Sequence, residues 1–522
     1  MFGTRSSRFA LLAAVAVVVT ALAGCAGGGG GTSTASPSSK PVSGGSITVG
    51  GLVAGAIDPG QASFSTQFRP WALSIFGSLF YPPDYGKGDS YVPGLASGYK
   101  YSSDQLTLTI TLRPKLVYSD GTPLDADSLV WNLNRHIQNK TREFQYFQYV
   151  TGIKKVDDLN VAISFSQPQS ILLDAMATSS TGFVTSEAAY NKVGANAFAA
   201  TPVGAGPFKI DKATPGQELD LSKNTSYYDA SHVYLDKVTW LNVGTDSQAW
   251  LTNLQSNAIQ AIQMNGTNIS SAVLDAIKNS PTLSLSSGLA TYVSILPENT
   301  KVAPFNNEKA RLALMYCTDR ESIAKSIFKG YAEPAFVMSG DTWALKDWQE
   351  GKKLDPIQYS VSKSKALVQQ LGGLSFTIST NETAPAITAL QQQWQECGIN
   401  AQVKVDPSYL TQVQAGNYQL AYTTNTNGGL NPASSTNYLD PTSANNKFGW
   451  TDDAIWNMVV EAKGTVDQDK AAALWKKIWT QLDTHGYIPS IVSAPNYIGA
   501  SAKLHGIKQS VTMDLANAWI EK

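Results

Sequence analysis

A mixed α/β body of several interleaved lobes is what the sequence predicts for residues 44–522, and three features predict it. The chain has 522 residues, several times the ~100–150 of a usual domain, so a single core is excluded. Leu106-Thr107-Leu108-Thr109-Ile110-Thr111-Leu112 alternates apolar and polar residues without a break, and a turn and an amphipathic helix follow within about 30 residues. Neither an internal repeat nor a Pro/Ser-rich linker divides residues 44–522, so the lobes interleave instead of lying in a row.

Taken in order, the chain begins with a cationic segment, Arg5 and Arg8, and an apolar run of 14 residues from Phe9 to Leu22. That run is shorter than the ~20 residues that span a bilayer, so it reads as the core of a signal peptide, residues 1–24. It ends in Leu22-Ala23-Gly24-Cys25, which resembles the bacterial lipobox, where small residues fit the peptidase and the Cys sulfur takes the lipid. Cys25 is therefore the expected lipidation site. Five glycines, Gly27 to Gly31, and a Thr/Ser/Ala/Pro tract follow, and residues 25–43 read as a flexible tether.

Gly44-Gly45-Ser46-Ile47-Thr48-Val49-Gly50 is a short strand entered through glycines. After the alternating strand, Ser119-Asp120-Gly121-Thr122-Pro123 is a turn. Asp125 or Asp127 then caps a helix carrying Leu129, Val130, Trp131 and Leu133. Thr318-Asp319-Arg320-Glu321 has the form of a capping box, with Ile323, Ala324, Ile327 and Phe328 on one helix face and Gly330 to end it. Leu474, Trp475, Ile478 and Leu482 make a last amphipathic stripe, with Lys476 and Lys477 outside it.

Composition narrows the function. With 43% hydrophobic and 15% charged residues the body is not a disordered chain. A net charge of −1 carries no sign of a nucleic-acid surface. The 12 Trp and 22 Tyr supply core and, in a minority, the walls of a cleft. Catalytic signatures are missing: there is no Gly-x-Ser-x-Gly and no His-Glu-x-x-His. His136, His232, His485 and His505 are scattered without metal-ligand spacing. Ser322-x-x-Lys325 and Ser362-x-x-Lys365 lack the companion motifs of serine acyl-enzymes. Gly204-Ala205-Gly206 has Lys209 where a dinucleotide loop needs its third glycine. Cys317 and Cys397, the two cysteines of the body, stand equally as a disulfide or as two buried thiols.

Several motifs in order resemble the family 5 extracellular solute-binding proteins, the ABC-importer group of oligopeptide, dipeptide and nickel binders. The strongest segment is residues 112–127, with Leu112-Arg113 and Tyr118-Ser119-Asp120-Gly121-Thr122-Pro123-Leu124. Val92-Pro93-Gly94-Leu95-Ala96 precedes it, and Val203-Gly204-Ala205-Gly206-Pro207-Phe208, Lys223-Asn224-x-x-Tyr227-Tyr228 and Arg311-x-Ala313-Leu314 with Asp319-Arg320 follow. The resemblance covers nearly all of residues 44–522. It implies a two-lobed, hinged fold of the type II periplasmic-binding-protein kind with an extra inserted domain. Lobe I would comprise residues 44–71, 196–287 and 490–522, the insertion residues 72–195, and lobe II residues 288–489. Most of the shared motifs are read as architecture, Asp120-Gly121 as a turn and Gly204 and Gly206 as backbone fit.

The resemblance also locates the ligand. In peptide-binding members a Trp-x-x-Asp-Tyr stretch before a Pro sets a carboxylate against the peptide's amine. Counting back from Pro432, this chain has Gly428 at the acidic position and Asn425 at the Trp position, so the charge-assisted bond to an ammonium is missing. Asn425, Thr426, Asn427, Gly428 and Gly429, with Phe64, Trp343 and Trp348 as aromatic faces, are the expected ligand-binding residues, and a polar, uncharged solute suits them; a plain surface turn is the alternative. The expected function is capture of a small solute, a peptide or another polar molecule, and delivery to ABC permease transmembrane subunits. No catalytic residue, metal, cofactor or nucleic acid is expected, and a monomer held by its lipid to the outer face of the cell membrane is. The alternatives are a secreted lipoprotein hydrolase and a binding protein serving a sensor.

Overall fold

The glycine-flanked strand Ser46–Gly51 is the middle of a seven-stranded sheet. It pairs in parallel with Lys237–Asn242 on one side and Ala261–Asn265 on the other. Glu218–Lys223 and Phe208–Thr214 extend the first side, Asn496–Ser501 and Leu283–Ser287 the second, each antiparallel to its neighbour. The computed structural model describes residues 40–61, 67–82, 91–345, 347–381, 384–426, 430–441, 446 and 452–522. Residues 41–522 make up one contact unit. Cys25 and the tether up to residue 39 lie outside the described residues.

One face of the large sheet packs on the helix Arg69–Phe76 and the C-terminal segment, with Ile47, Val49, Trp71, Phe76, Met513 and Leu515 in one core. The other face is covered by the helices Ser247–Gln255 and Ser271–Lys278. The expected alternating strand is Thr107–Leu112, whose Leu108, Ile110 and Leu112 are buried. It lies inside an antiparallel meander with Ala96–Tyr101, Asn160–Phe165 and Val150–Lys155. The turn after it is closed by Asp120, whose Oδ1 accepts the Thr122 N–H at 3.0 Å, and Asp125 caps the helix Ala126–Gln138 through the Ser128 N–H at 3.0 Å. Helix Ala126–Gln138 carries Arg135, whose guanidinium lies 4.6 Å from the centre of each of the Trp131 and Tyr190 rings and pairs with buried Asp58, Nη1 to Oδ1 3.0 Å. Gly204 and Gly206 are where the meander meets the large sheet: a Cβ would come within 2.2 Å of the Ile75 carbonyl and 2.7 Å of Ser74 O.

The distal body holds two sheets. Leu374–Thr380 pairs in parallel with Ile399–Val405 and Leu420–Ala421. The other has the order Glu333–Pro334, Ser490–Ala494, Tyr292–Ile295, Thr423–Thr426. Cys317 and Cys397, both buried, form a disulfide with Cα atoms 6.3 Å apart, tying the end of helix Glu308–Tyr316 to the end of helix Pro385–Glu396. Helix Gln468–Thr484 buries Trp475, Ile478 and Leu482 as its stripe requires.

One expectation moves. Asp319, not Thr318, is the cap of helix Arg320–Ser326, accepting the Ser322 N–H at 3.0 Å; the Thr318 hydroxyl instead donates back to Leu314 O at 2.8 Å. All eight residues of helix Arg69–Phe76 are buried, and Trp71, Ala72, Leu73, Ile75 and Phe76 pack in the core of the large sheet. Residues 490–494 pair with Tyr292–Ile295, and the next strand, Asn496–Ser501, pairs with Ala261–Asn265 of the large sheet.

Candidate binding site

Two short connections join the large-sheet body to the distal body: residues 288–291, between Leu283–Ser287 and Tyr292–Ile295, and Pro495, between Ser490–Ala494 and Asn496–Ser501. They run side by side. Gly288 N–H donates to Asn496 O at 3.2 Å, Gly266 N–H to Pro495 O at 3.1 Å, and Ser493 Oγ to Ala290 O at 3.2 Å. Beyond them the bodies touch at Thr267 and Thr424, hydroxyl to hydroxyl 3.4 Å, at Ser271, whose hydroxyl donates to Ile327 O at 3.3 Å, and at Tyr331, whose hydroxyl donates to Asp275 at 2.8 Å and whose carbonyl accepts the Tyr497 hydroxyl at 2.6 Å.

The inserted meander reaches the distal body through the helix Ile171–Thr178. All eight residues of this helix are buried because it serves two cores, Leu172, Leu173 and Met176 facing the meander and Ile171 the distal body. At this seam Asn431 Nδ2 donates to Ser170 Oγ at 3.1 Å and the Ser170 N–H to Lys463 O at 3.3 Å. Asp174 is 1% exposed. Its carboxylate accepts the Tyr91 hydroxyl at 2.9 Å and the Asn431 backbone N–H. Burial pushes its pKa up to about 7, more than these hydrogen bonds and the nearby Arg69 guanidinium pull it down. A cavity of 110 Å³ opens next to it, with Tyr91, Tyr99 and Tyr101 on the meander side and Trp343, Asn431 and Gln468 on the distal side. Phenol rings, an indole and two amides around one space can stack on a planar or apolar group and hydrogen-bond a polar one.

Of the expected ligand-binding residues, Trp343 faces this seam cavity, and its backbone N–H donates to Leu430 O at 3.1 Å. Trp348 is elsewhere: its ring stacks on Phe336 at 6.3 Å and lines a 20 Å³ space with Glu333 and Asp341. Asn425 is buried, and its amide is committed to Met338 O at 2.8 Å. Thr426 ends the same strand opposite Tyr292. Phe64, Asn427, Gly428 and Gly429 lie outside the described residues. Tyr91, Ser170, Asp174 and Asn431 carried no sequence signal, since each acquires its role from residues far away along the chain. Among the described residues no group of three or more His, Cys, Asp or Glu can hold a metal ion, and no helix is long and apolar enough to cross a membrane.

The architecture is that of the type II periplasmic binding proteins. The ABC transporter substrate-binding protein CtaP of Listeria monocytogenes matches with a TM-score of 0.79 at 21% identity, over 92% of this chain and 99% of its own. The periplasmic binding protein DppA of Helicobacter pylori, solved with the peptide STSA, matches with a TM-score of 0.77 at 19% identity, over 92% and 99%. The glutathione-binding protein GsiB of Salmonella paratyphi A is 28% identical over 356 residues, 66% of this chain and 66% of the relative, just under two thirds of either. Residues 90–448 match the family described as bacterial extracellular solute-binding proteins, family 5 Middle. The chain belongs to that family, a family of solute binders and not of enzymes.

Proposed function

We propose that this chain is the extracytoplasmic substrate-binding component of an ABC importer, closing on a small solute between the distal body and the meander carried by the large-sheet body. The observation that carries this reading is the pair of adjacent connections, 288–291 and Pro495, with the Trp343 and Asn431 cavity at the seam between the meander and the distal body. Two parallel connections permit a hinge motion while each body keeps its own core. In this reading lobe I is the large sheet with its C-terminal segment, the meander is its insertion, and lobe II is the distal body. The names of the GsiB relatives and the peptide in the DppA structure support a peptide-like or similarly polar solute. Trp343 stacks on that solute, and the amides of Asn431 and Gln468 hydrogen-bond it. Cys25 carries the lipid, and the tether lets a monomer turn on the outer face of the membrane.

The test begins with mass spectrometry of the solute that copurifies, followed by small-angle scattering with and without it. Compaction at saturation with the solute intact, and loss of its uptake when the chain is deleted, are expected. An unchanged radius removes the hinge, consumption of the solute restores an enzyme, and uptake that survives deletion removes the importer. Cys25→Ala is expected to leave the membrane fraction or to accumulate unprocessed; wild-type fractionation and migration would exclude the anchor.

A further inference from the structure

A larger cavity, 480 Å³, lies away from the seam, and no residue of the distal body lines it. Its walls are the helix Arg69–Phe76, the strand pair Phe80–Tyr81 and Val92–Pro93, the Tyr227-Tyr228-Asp229 turn, and the C-terminal hairpin Lys508–Gln509 and Met513–Asp514. Lys508 and Asp514 are directly opposite each other in that hairpin, so their side chains leave it on one face, and both line the cavity. They feel each other's charge.

Behind Asp514, Arg69 is sunk in the wall with 2% of its surface exposed. Its two terminal nitrogens donate to Ala177 O and Ser179 O, at the end of helix Ile171–Thr178, at 2.5 and 3.1 Å. Its Nε has no acceptor. Among the described residues no carboxylate is in contact with the guanidinium, and burial lowers its pKa to about 10. Among the described residues Asp514 in turn accepts only the Ala516 N–H, at 2.9 Å, and burial raises its pKa. A buried cation and a carboxylate share one cavity wall, then, with each charge incompletely met. Tyr81 and Tyr227, linked by their hydroxyls, and Tyr228 supply aromatic faces, and Leu73, Val92 and Pro93 an apolar floor.

We propose that this cavity is a second binding site, for a small dipolar ion of the α-amino acid type with an aromatic or apolar side chain. Asp514 takes the ammonium, Lys508 the carboxylate, and the tyrosines the side chain. A head group with opposite charges on one carbon matches a cross-strand pair that presents opposite charges side by side. Arg69 adds positive charge behind the site without touching the ligand. The cavity is of the size that small-molecule sites take, ~300–1,000 Å³. This site is independent of the solute captured at the seam and does not require the importer reading.

The experiment titrates the purified protein calorimetrically with L-phenylalanine, N-acetyl-L-phenylalanine and L-phenylalaninamide. Only the free amino acid is expected to bind well, the two blocked forms being weaker by about tenfold or more, the usual worth of a charged hydrogen bond. Asp514→Asn and the exposed-site change Lys508→Gln are expected to reproduce the losses seen with the acetyl and amide forms, while Trp343→Ala leaves L-phenylalanine binding in place. The ligand series needs no variant to fold. Equal binding of all three compounds, no binding of L-phenylalanine at millimolar concentration, or its loss in Trp343→Ala with retention in Asp514→Asn would each overturn the proposal; the last would place the amino acid at the seam.

Discussion

Asp174→Asn tests the seam between the inserted meander and the distal body. Asp174 is buried there among Tyr91, the Thr178 hydroxyl, the Asn431 N–H and the Arg69 guanidinium, and its pKa rises from 3.8 to about 7. For an acid with a raised folded-state pKa, the folded protein keeps a proton that the unfolded chain has already released. Stability is therefore highest below about pH 4, falls as the pH rises to about 7, and is flat above it. Three pKa units correspond to about 4 kcal/mol, of which about 2–3 kcal/mol accrues between pH 5 and pH 7. Asn cannot ionise, so the variant escapes this cost. The assay is thermal melting of wild type and variant side by side at about pH 5 and about pH 8. Glu298, whose burial raises its pKa to about 8, titrates in both proteins and cancels in the difference. The stability of the variant relative to wild type should rise by about 2–3 kcal/mol from the lower to the higher pH. A difference that does not change with pH would show that Asp174 is not held in a dry seam.

Three further outcomes follow from the packing. Replacing Cys317 and Cys397 together by Ser is expected to lower stability by about 2–4 kcal/mol under non-reducing conditions and to remove the effect of added reductant on the melt. Trp343→Ala should weaken solute binding with little change in melting, whereas Trp348→Ala, which removes the ring stacked on Phe336, should lower melting and leave binding alone. Arg135→Ala strands the fully buried Asp58 carboxylate and is expected to cost about 3–5 kcal/mol, read by denaturant unfolding; a loss below about 1 kcal/mol would mean the pair is solvated.

Local chemistry was written plainly in the chain. The alternation of residues 106–112, the Asp120 turn, the Asp125 cap and the stripe of helix Gln468–Thr484 are set by neighbours within a few residues, so the sequence by itself determines them. Ordered motifs likewise carried the family, because backbone fits such as Gly204 and Gly206 tolerate no Cβ. The cap of helix Arg320–Ser326 was half legible: Thr318 and Asp319 are both competent, and the free carbonyl of Leu314 on the preceding helix drew the hydroxyl away. What the sequence left open was pairing across distance. Cys317 and Cys397 are 80 residues apart, Asp58 and Arg135 77, Ser170 and Asn431 261. Strand Ser490–Ala494 reads like any apolar run, and only its register against Tyr292–Ile295 assigns it to the distal body. The seam and the larger cavity belong to the same class. Asp174 and Arg69 are ordinary charged residues in the sequence; desolvation, which depends on the elements packed around them, makes the first a weaker acid and lowers the pKa of the second.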